Sequence, residues 1–534
     1  MRLLNYKKIE NFVPYGFILI GLILSVFTLT IQPLWFDEHL TMNEAQSGSL
    51  KDMMTLVMRH ESIPPLFYLL EYCMVKLFSL SDFSLRIIPA LAGILGCFFY
   101  WRIFFKVTDR STAVMSLVLC VSSSFLIVFS QEARPYSMLF CESMILLFFS
   151  IRWLEKHDII NAAGIAVSMF IAVNTHYYAL FLIAAVIVSM FIVEKKRNLS
   201  KKGFIVFITS ALISVISVSP WLLKQLALQV NGQKTSLISK AGIAIPYIPI
   251  STLSGAALEK ITVLKDFTGS NSIVLLLLLL VFIFTTTELL KFFKQADIRQ
   301  RLNTIPFFLI LFFAIAYGQH ILTGFRIPSL HPRYTIYFMM FLFGGILSFT
   351  ASRKIVRNIV FVILLIINVY GHFKYWGTVE TYYRVPWKKI VADIDAQSPS
   401  VSVVASTDHM HIFVLPFYMK SNKRIMLFDS GVFGSSKAPL LKRDPYRFYN
   451  RDVEIYQRTF EYYNSDQNKP DTSELTFMDF VASNPQGLYI YQEDGRPYNE
   501  DFLKNDISDL KMIIISHYNT NQGIVYIIKW EYVV

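Results

Sequence analysis

Long apolar runs separated by short polar breaks fill the first two thirds of the chain. The stretch Ser272–Leu290, SIVLLLLLLVFIFTTTELL, is too uniformly apolar for a helix with one solvated face. A membrane span takes about 20 apolar residues, and inside hydrocarbon only a helix pairs all of its own backbone groups within one segment. Runs of this kind predict about eleven spans, at 12–31, 86–105, 112–129, 137–153, 160–174, 177–193, 204–222, 272–290, 305–323, 334–351 and 357–372.

Two longer polar stretches, 32–85 and 223–271, interrupt the series. In the first, Ser49-Leu50-Lys51-Asp52 has the form of a capping box and opens a short helix toward Met58. Behind Pro64-Pro65, residues Leu66, Leu69, Leu70, Cys73 and Leu77 recur at helical spacing, with Glu71 and Lys76 off that stripe. This predicts an amphipathic helix lying on the membrane surface. The second stretch, with Pro246 and Pro249, carries a weaker signal for another.

From about His372 the pattern changes to charges, turn residues and apolar runs of strand length. Strands are predicted at 400–406, 412–415, 424–428, 488–492, 512–517 and 523–529, with a helix at 387–395 before them. The fold class is therefore an α-helical polytopic membrane domain, residues 1–375, followed by a soluble α/β domain, 376–534. The latter has roughly 150 residues, enough for one core.

Composition agrees: 54% of residues are hydrophobic and 16% charged. The net charge of +12 alone would suggest nucleic acid. Its distribution excludes that partner. Lys195, Lys196, Arg197, Lys201 and Lys202, then Lys291, Lys294, Arg299 and Arg301, then Arg353, Lys354 and Arg357, gather in alternate short loops. That is the positive-inside pattern of a multi-pass protein of the cell (inner or plasma) membrane. It places the N-terminus in the cytoplasm and the α/β domain outside the cytoplasm. The first span begins with Arg2, Lys7 and Lys8, yet Trp35-Phe36-Asp37 stands where a small-residue cleavage site would be, so it reads as a retained helix. Cys73, Cys97, Cys120 and Cys141 all lie in apolar segments and read as packing residues.

The polar clusters fall on one side, the outer one. Asp37-Glu38 directly follows the first span; ionised groups are costly near hydrocarbon and tend to serve a purpose there. The next outer turns are Ser130–Ser137, with Glu132, Arg134 and Tyr136; Asn174–Tyr178, with His176 and Tyr177; and 326–334, with Arg326, His331, Arg333 and Tyr334. Each has a plain structural explanation, since prolines start helices, arginines snorkel and tyrosines populate the interfacial belt. Together they also suit an anionic headgroup, because arginine holds phosphate through paired hydrogen bonds.

Other apparent motifs fail. His60-Glu61-Ser62-Ile63-Pro64 begins like a zinc-protease helix but has proline at the second ligand position. Asp393-Ile394-Asp395 sits within a predicted helix, where two solvated acids are the ordinary explanation, and His409-Met410-His411 has no third ligand at a characteristic spacing. Gly232-Gln233-Lys234-Thr235 lacks the upstream glycine of a phosphate loop. No metal site is predicted.

The acid pair, His60-Glu61 with Pro64–Tyr68, Arg86, Ser130–Tyr136, Thr175–Tyr177 and Arg333-Tyr334 occur here in order. This set resembles the bacterial multi-spanning glycosyltransferases of GT-C fold, the branch with protein O-mannosyltransferases and the aminoarabinose transferase of lipid A. The resemblance covers approximately residues 10–375. It implies a polyprenyl-phosphate-linked sugar as donor and transfer to an envelope lipid, glycan or protein. It also implies Asp37 as catalytic base with Glu38 as its partner, and His60 and Glu61 as support from the first outer loop. Glu132, Arg134, Tyr136, His176, Tyr177, Arg333 and Tyr334 are the corresponding donor-binding candidates. One base and direct displacement give inversion, with no carboxylate nucleophile. No cofactor is required, although the acid pair leaves a divalent cation open. The competing reading is a transporter or flippase of a lipid-linked sugar, which predicts ionisable or helix-breaking residues inside spans and paired repeats. A third is a membrane anchor that displays the α/β domain.

Overall fold

Hydrocarbon leaves the backbone no partner but itself, and the chain meets that demand with helices up to residue 377. The computed structural model describes residues 2–61, 63–197, 201–231, 248–254, 270–294, 304–324, 332–377, 386–397, 403–406, 415, 417–419, 424–427, 486–492, 510–520 and 523–532. These divide into two compact units: Met1–Thr30 with Thr41–Gly377, and Ile31–Leu40 with Thr378–Val534.

In the first unit, α1 is Arg2–Phe27, α2 Phe36–Ala45, α3 Leu50–His60, α4 Leu66–Phe78 and α5 Asp82–Val107. They are followed by α6 Arg110–Val121, α7 Ser124–Ser130, α8 Tyr136–Glu155, α9 Ile159–Thr175, α10 Ala179–Arg197 and α11 Lys201–Asn231. After these come α12 Ser270–Lys294, α13 Thr304–Gly324, α14 Pro332–Met339, α15 Phe341–Thr350 and α16 Lys354–Gly377. Every expected span falls on one or two of these helices. Among the described residues six single helices are long and apolar enough to cross a membrane, and seven spans result if the bent pair α6–α7 counts as one.

That bend is 50° and divides the run expected at 112–129. Serines explain it. Ser123 caps α7 by accepting from Leu126 N, so Ser122 O loses its helical donor. Ser123 N turns to Cys120 O, which takes the helical backbone donor from Leu119 O and leaves it the Ser122 hydroxyl at 3.5 Å. Side chains of α16 fill both gaps: His372 Nε2 lies 2.8 Å from Ser122 O, and Asn368 donates to Leu119 O at 3.4 Å. Another break, at Met340, divides the tenth expected span into α14 and α15. Close helix approach depends on small residues. A side chain at Gly96 of α5 would meet Phe140 and, at 3.1 Å, the backbone of Cys141 in α8.

The loop between α1 and α5 holds three helices, one more than expected: the segment after α1 forms α2, which periodicity alone does not reveal. Ser49 caps α3 as predicted, accepting from Asp52 N at 3.1 Å. Lys224 of α11 donates to the carbonyls of Met58 and Glu61 at the other end of α3. In α4 the buried face is Phe67, Tyr68, Glu71 and Val75, whereas Leu77 is 73% exposed and Cys73 also lies outside. Cys73 and Leu77 of the apolar stripe thus face outward, Leu69 and Leu70 pack partly against the core, and Glu71 is packed inside. In a membrane protein both faces of a helix have an apolar destination, so hydropathy does not select between them. The other three cysteines are buried, with Cys97 and Cys120 Sγ 3.6 Å apart.

In the second unit α17, Trp387–Ala396, precedes a mixed five-stranded sheet: β1 Val403–Ser406, β2 Arg424–Leu427, β3 Gln486–Gln492, β4 Leu510–Thr520 and β5 Gly523–Tyr532, in the order β2-β1-β3-β5-β4. β1 runs parallel to β2 and β3, and β5 runs antiparallel between β3 and β4. A register shift between Ile514 and Ser516 bulges β4. Trp387, Ile390, Val391 and Ile394 form the buried stripe of α17. Leu415, expected in a strand, is helical, while 412–414 lie outside the described residues. Segment 31–40 packs with this unit: Leu34 N donates to the Tyr418 hydroxyl at 2.6 Å, and the His39 ring lies edge-on to Phe417.

Candidate functional site

The acid pair sits in the first turn of α2. A helix N-terminus presents unpaired N–H groups and a positive dipole end, which favours carboxylates there. Glu38 is buried and its Oε2 accepts from Trp35 N at 3.0 Å, while Asp37 is half-exposed. Thr41 follows Asp37 by four positions, the spacing of one helix face.

In the first unit the turn between α7 and α8 is tied down from several sides. Gln131 donates to Ser25 O at 3.1 Å and to the Thr28 hydroxyl. Ser137 donates to Pro89 O at 2.8 Å. Arg134 Nη1 donates to Thr41 Oγ1 of α2 and to the Tyr68 hydroxyl of α4, both at 3.3 Å, and stands 3.5 Å from Glu61 Oε1. Burial pushes the Tyr68 phenol well above its ordinary value; Arg134 lowers it, and Glu61 and Glu44 raise it again. Tyr68 therefore keeps its proton. Glu132 is buried in the same turn.

The turn between α9 and α10 converges with α14. His176 ends α9, and its Nδ1 accepts from Tyr178 N at 3.1 Å. The ring proton therefore belongs to Nε2, which is buried with no hydrogen-bond partner among the described residues. Burial first, then the charges of Arg134 and Arg333, hold the imidazole down to about 3. His176 is therefore a neutral hydrogen-bond donor at physiological pH. Around it, Tyr136 and Tyr334 have ring centroids 6.0 Å away and Tyr178 5.2 Å. The Arg333 guanidinium lies over Tyr334 at 4.9 Å and Tyr136 at 5.6 Å, and donates to the Tyr334 hydroxyl at 3.0 Å. Tyr178 stacks on Tyr334 and on His320 of α13. Tyr177 is half-buried beside them in sequence.

Arg134, Tyr136, His176, Arg333 and Tyr334 are thus brought around one locus, and Glu61 joins through Arg134. The His60 side chain, His331 and Arg326 lie outside the described residues, as do His409, His411 and the 232–235 turn. Asp393 accepts a hydrogen bond from the Tyr518 hydroxyl at 2.6 Å, which gives that acid a packing role. Among the described residues no three His, Cys, Asp or Glu side chains group as metal ligands.

Thr41, Glu44, His320 and Glu142 of this neighbourhood were not singled out in the sequence, and Tyr68 and Tyr178 stood there only within longer motifs. Glu142 had a signal, an acid within an apolar run. It is buried in α8 and its Oε1 accepts from the Thr175 hydroxyl at 2.7 Å. The others are ordinary side chains on ordinary faces, identified by their partners alone.

Residues 62–223 match the sequence profile of the family described as dolichyl-phosphate-mannose-protein mannosyltransferase. Two crystal structures of ArnT from Cupriavidus metallidurans share the fold, each at 12% identity over 96% of this chain and 97% of theirs. The TM-score is 0.53 for the apo state and 0.51 for the form bound to undecaprenyl phosphate. Curated proteins give no sequence match.

Proposed function

We propose that this chain, which shares the fold of ArnT and matches the mannosyltransferase profile over residues 62–223, is a multi-pass membrane glycosyltransferase. Its donor is a sugar on a polyprenyl phosphate, and its acceptor is a lipid, glycan or protein of the envelope. The carrying observation is the convergence of Arg333 and His176, within the field of Arg134, on a wall of Tyr136, Tyr178 and Tyr334. Cationic and neutral donors fixed in a desolvated setting suit a phosphate whose charge grows as it departs. The tyrosine faces suit the apolar face of a sugar or the first isoprene units.

In the reaction an acceptor hydroxyl attacks the anomeric carbon and its proton passes to Asp37. The bond from that carbon to the phosphate oxygen breaks, and the electron pair leaves with the phosphate. Arg333 meets this charge with its planar fork, and His176 meets it with the Nε2 proton. Glu38, bonded to Trp35 N, holds the entry of α2. A single displacement inverts the anomeric centre. The loop charges support a cytoplasmic N-terminus and an outer site.

The test is transfer by the purified protein in nanodiscs, with undecaprenyl-phosphate-linked sugars as donors and envelope extract as acceptor. Wild type releases undecaprenyl phosphate. Asp37→Asn keeps the shape but loses the base, and turnover falls roughly 100-fold or more while undecaprenyl phosphate still binds. Movement of the intact donor across the bilayer without transfer would replace the enzyme with a transporter.

A further inference from the structure

Arg134 is engaged by three parts of the first outer loop at once. Thr41 comes from α2, Glu61 from the residue after α3, and Tyr68 from α4. Each of these four side chains is more than nine-tenths buried. Arg134 Nη1 meets the Tyr68 phenol at 3.3 Å and Glu61 Oε1 at 3.5 Å, so the guanidinium lies between a phenol and a carboxylate. A buried charge is tolerable when a counter-charge and hydrogen bonds surround it, and Arg134 has both. A guanidinium held this way is not available to swing toward a ligand.

α2 needs such a hold. It has ten residues and little net hydrophobicity, and a helix that short is marginal alone. Its placement must come from tertiary contacts, and Thr41 supplies one near its middle. Glu44, one turn further on, is buried and close enough to Tyr68 to influence its phenol. We propose that Arg134 is a positioning residue: clamped by Glu61 and Tyr68, it grips Thr41 and so sets the axis and rotation of α2, the helix whose first turn carries Asp37 and Glu38. Its work is done through α2, not on the donor phosphate. The inference rests on the glycosyltransferase reading for its effect on rate. Small displacements of a reacting group are costly: a shift of about 1 Å lowers rates on the order of 100-fold.

Removal of Arg134 or Glu61 strands a buried charge and threatens folding, so the test uses neutral, near-isosteric changes at Thr41 and Tyr68 and a charge-conserving change at Arg134. Thr41→Val deletes the accepting oxygen and should lower kcat about tenfold or more, with donor KM unchanged. Thr41→Ser restores the oxygen and should rescue kcat. Thr41→Val combined with Tyr68→Phe should cost less than the product of the two single effects, since both act through one guanidinium. Arg134→Lys should lower kcat and leave undecaprenyl phosphate affinity as in wild type. Amide exchange is read independently of activity: α2 amides should exchange faster in Thr41→Val and at the wild-type rate in Thr41→Ser. Unchanged kcat and unchanged α2 exchange in Thr41→Val would overturn the proposal. So would a loss of undecaprenyl phosphate affinity in Arg134→Lys, which would make Arg134 a phosphate ligand. If wild type transfers no sugar, the functional reading fails, and the exchange and affinity measurements still decide the role of Arg134.

Discussion

The hydroxyl of Thr175 donates to Glu142 Oε1 at 2.7 Å and joins the end of α9 to the interior of α8. This hydrogen bond satisfies one oxygen of a carboxyl group inside a membrane span. Thr175→Val leaves that oxygen without its donor, and stability should fall by about 1–3 kcal/mol. Thr175→Ser should retain it. Thermal unfolding in detergent separates the two variants. Equal midpoints would show that the hydroxyl contributes nothing.

Arg333 lies over Tyr334, and replacement tests whether it serves the lipid phosphate. Arg333→Lys keeps the charge but loses the flat fork and the stacking, so undecaprenyl phosphate should bind more weakly. Arg333→Ala should be worse, by roughly 2–4 kcal/mol in the transfer step. If Arg333 only anchors α14, both variants lose thermal stability and keep wild-type affinity.

His176 gives a pH dependence whose sign follows from its burial. Its folded value of about 3 lies below the ordinary 6.5. Between those limits the unfolded chain binds the extra proton, so the His176 contribution is complete above pH 6.5 and declines on acidification. The decline is roughly 1.4 kcal/mol per pH unit, or about 2 kcal/mol by pH 5. His176→Gln should flatten the fall in unfolding temperature between pH 7 and pH 5. A variant that falls as steeply as wild type would assign the acid sensitivity to other groups.

Topology is tested at the β4–β5 hairpin. Loop charges predict that the second unit lies outside the cytoplasm. Thr520→Cys, made in a Cys73→Ser background because Cys73 is exposed, should react with an impermeant maleimide on intact cells. Labelling that requires lysis would reverse the orientation and remove the outer site with it.

The helical spans were legible because the bilayer imposes them. Length, hydropathy and self-paired backbone leave one solution for a run such as 272–290. The acid pair and the outer turns were legible because charge is conspicuous at the end of an apolar run. Loop charge carries the proposed orientation for the same reason. What lay beyond the sequence was the choice of partner. Arg134 and Thr41 are 93 positions apart, and nothing local in either turn names the other. The buried face of α4 was hidden because lipid and protein interior are both apolar. Tertiary structure also set the state of His176: the amide of Tyr178 fixes its tautomer, and enclosure beside two arginines makes it a neutral donor. Periodicity and solvent preference act within a segment and can be read along the chain; hydrogen-bond partners and local dielectric exist only once segments distant in sequence have packed.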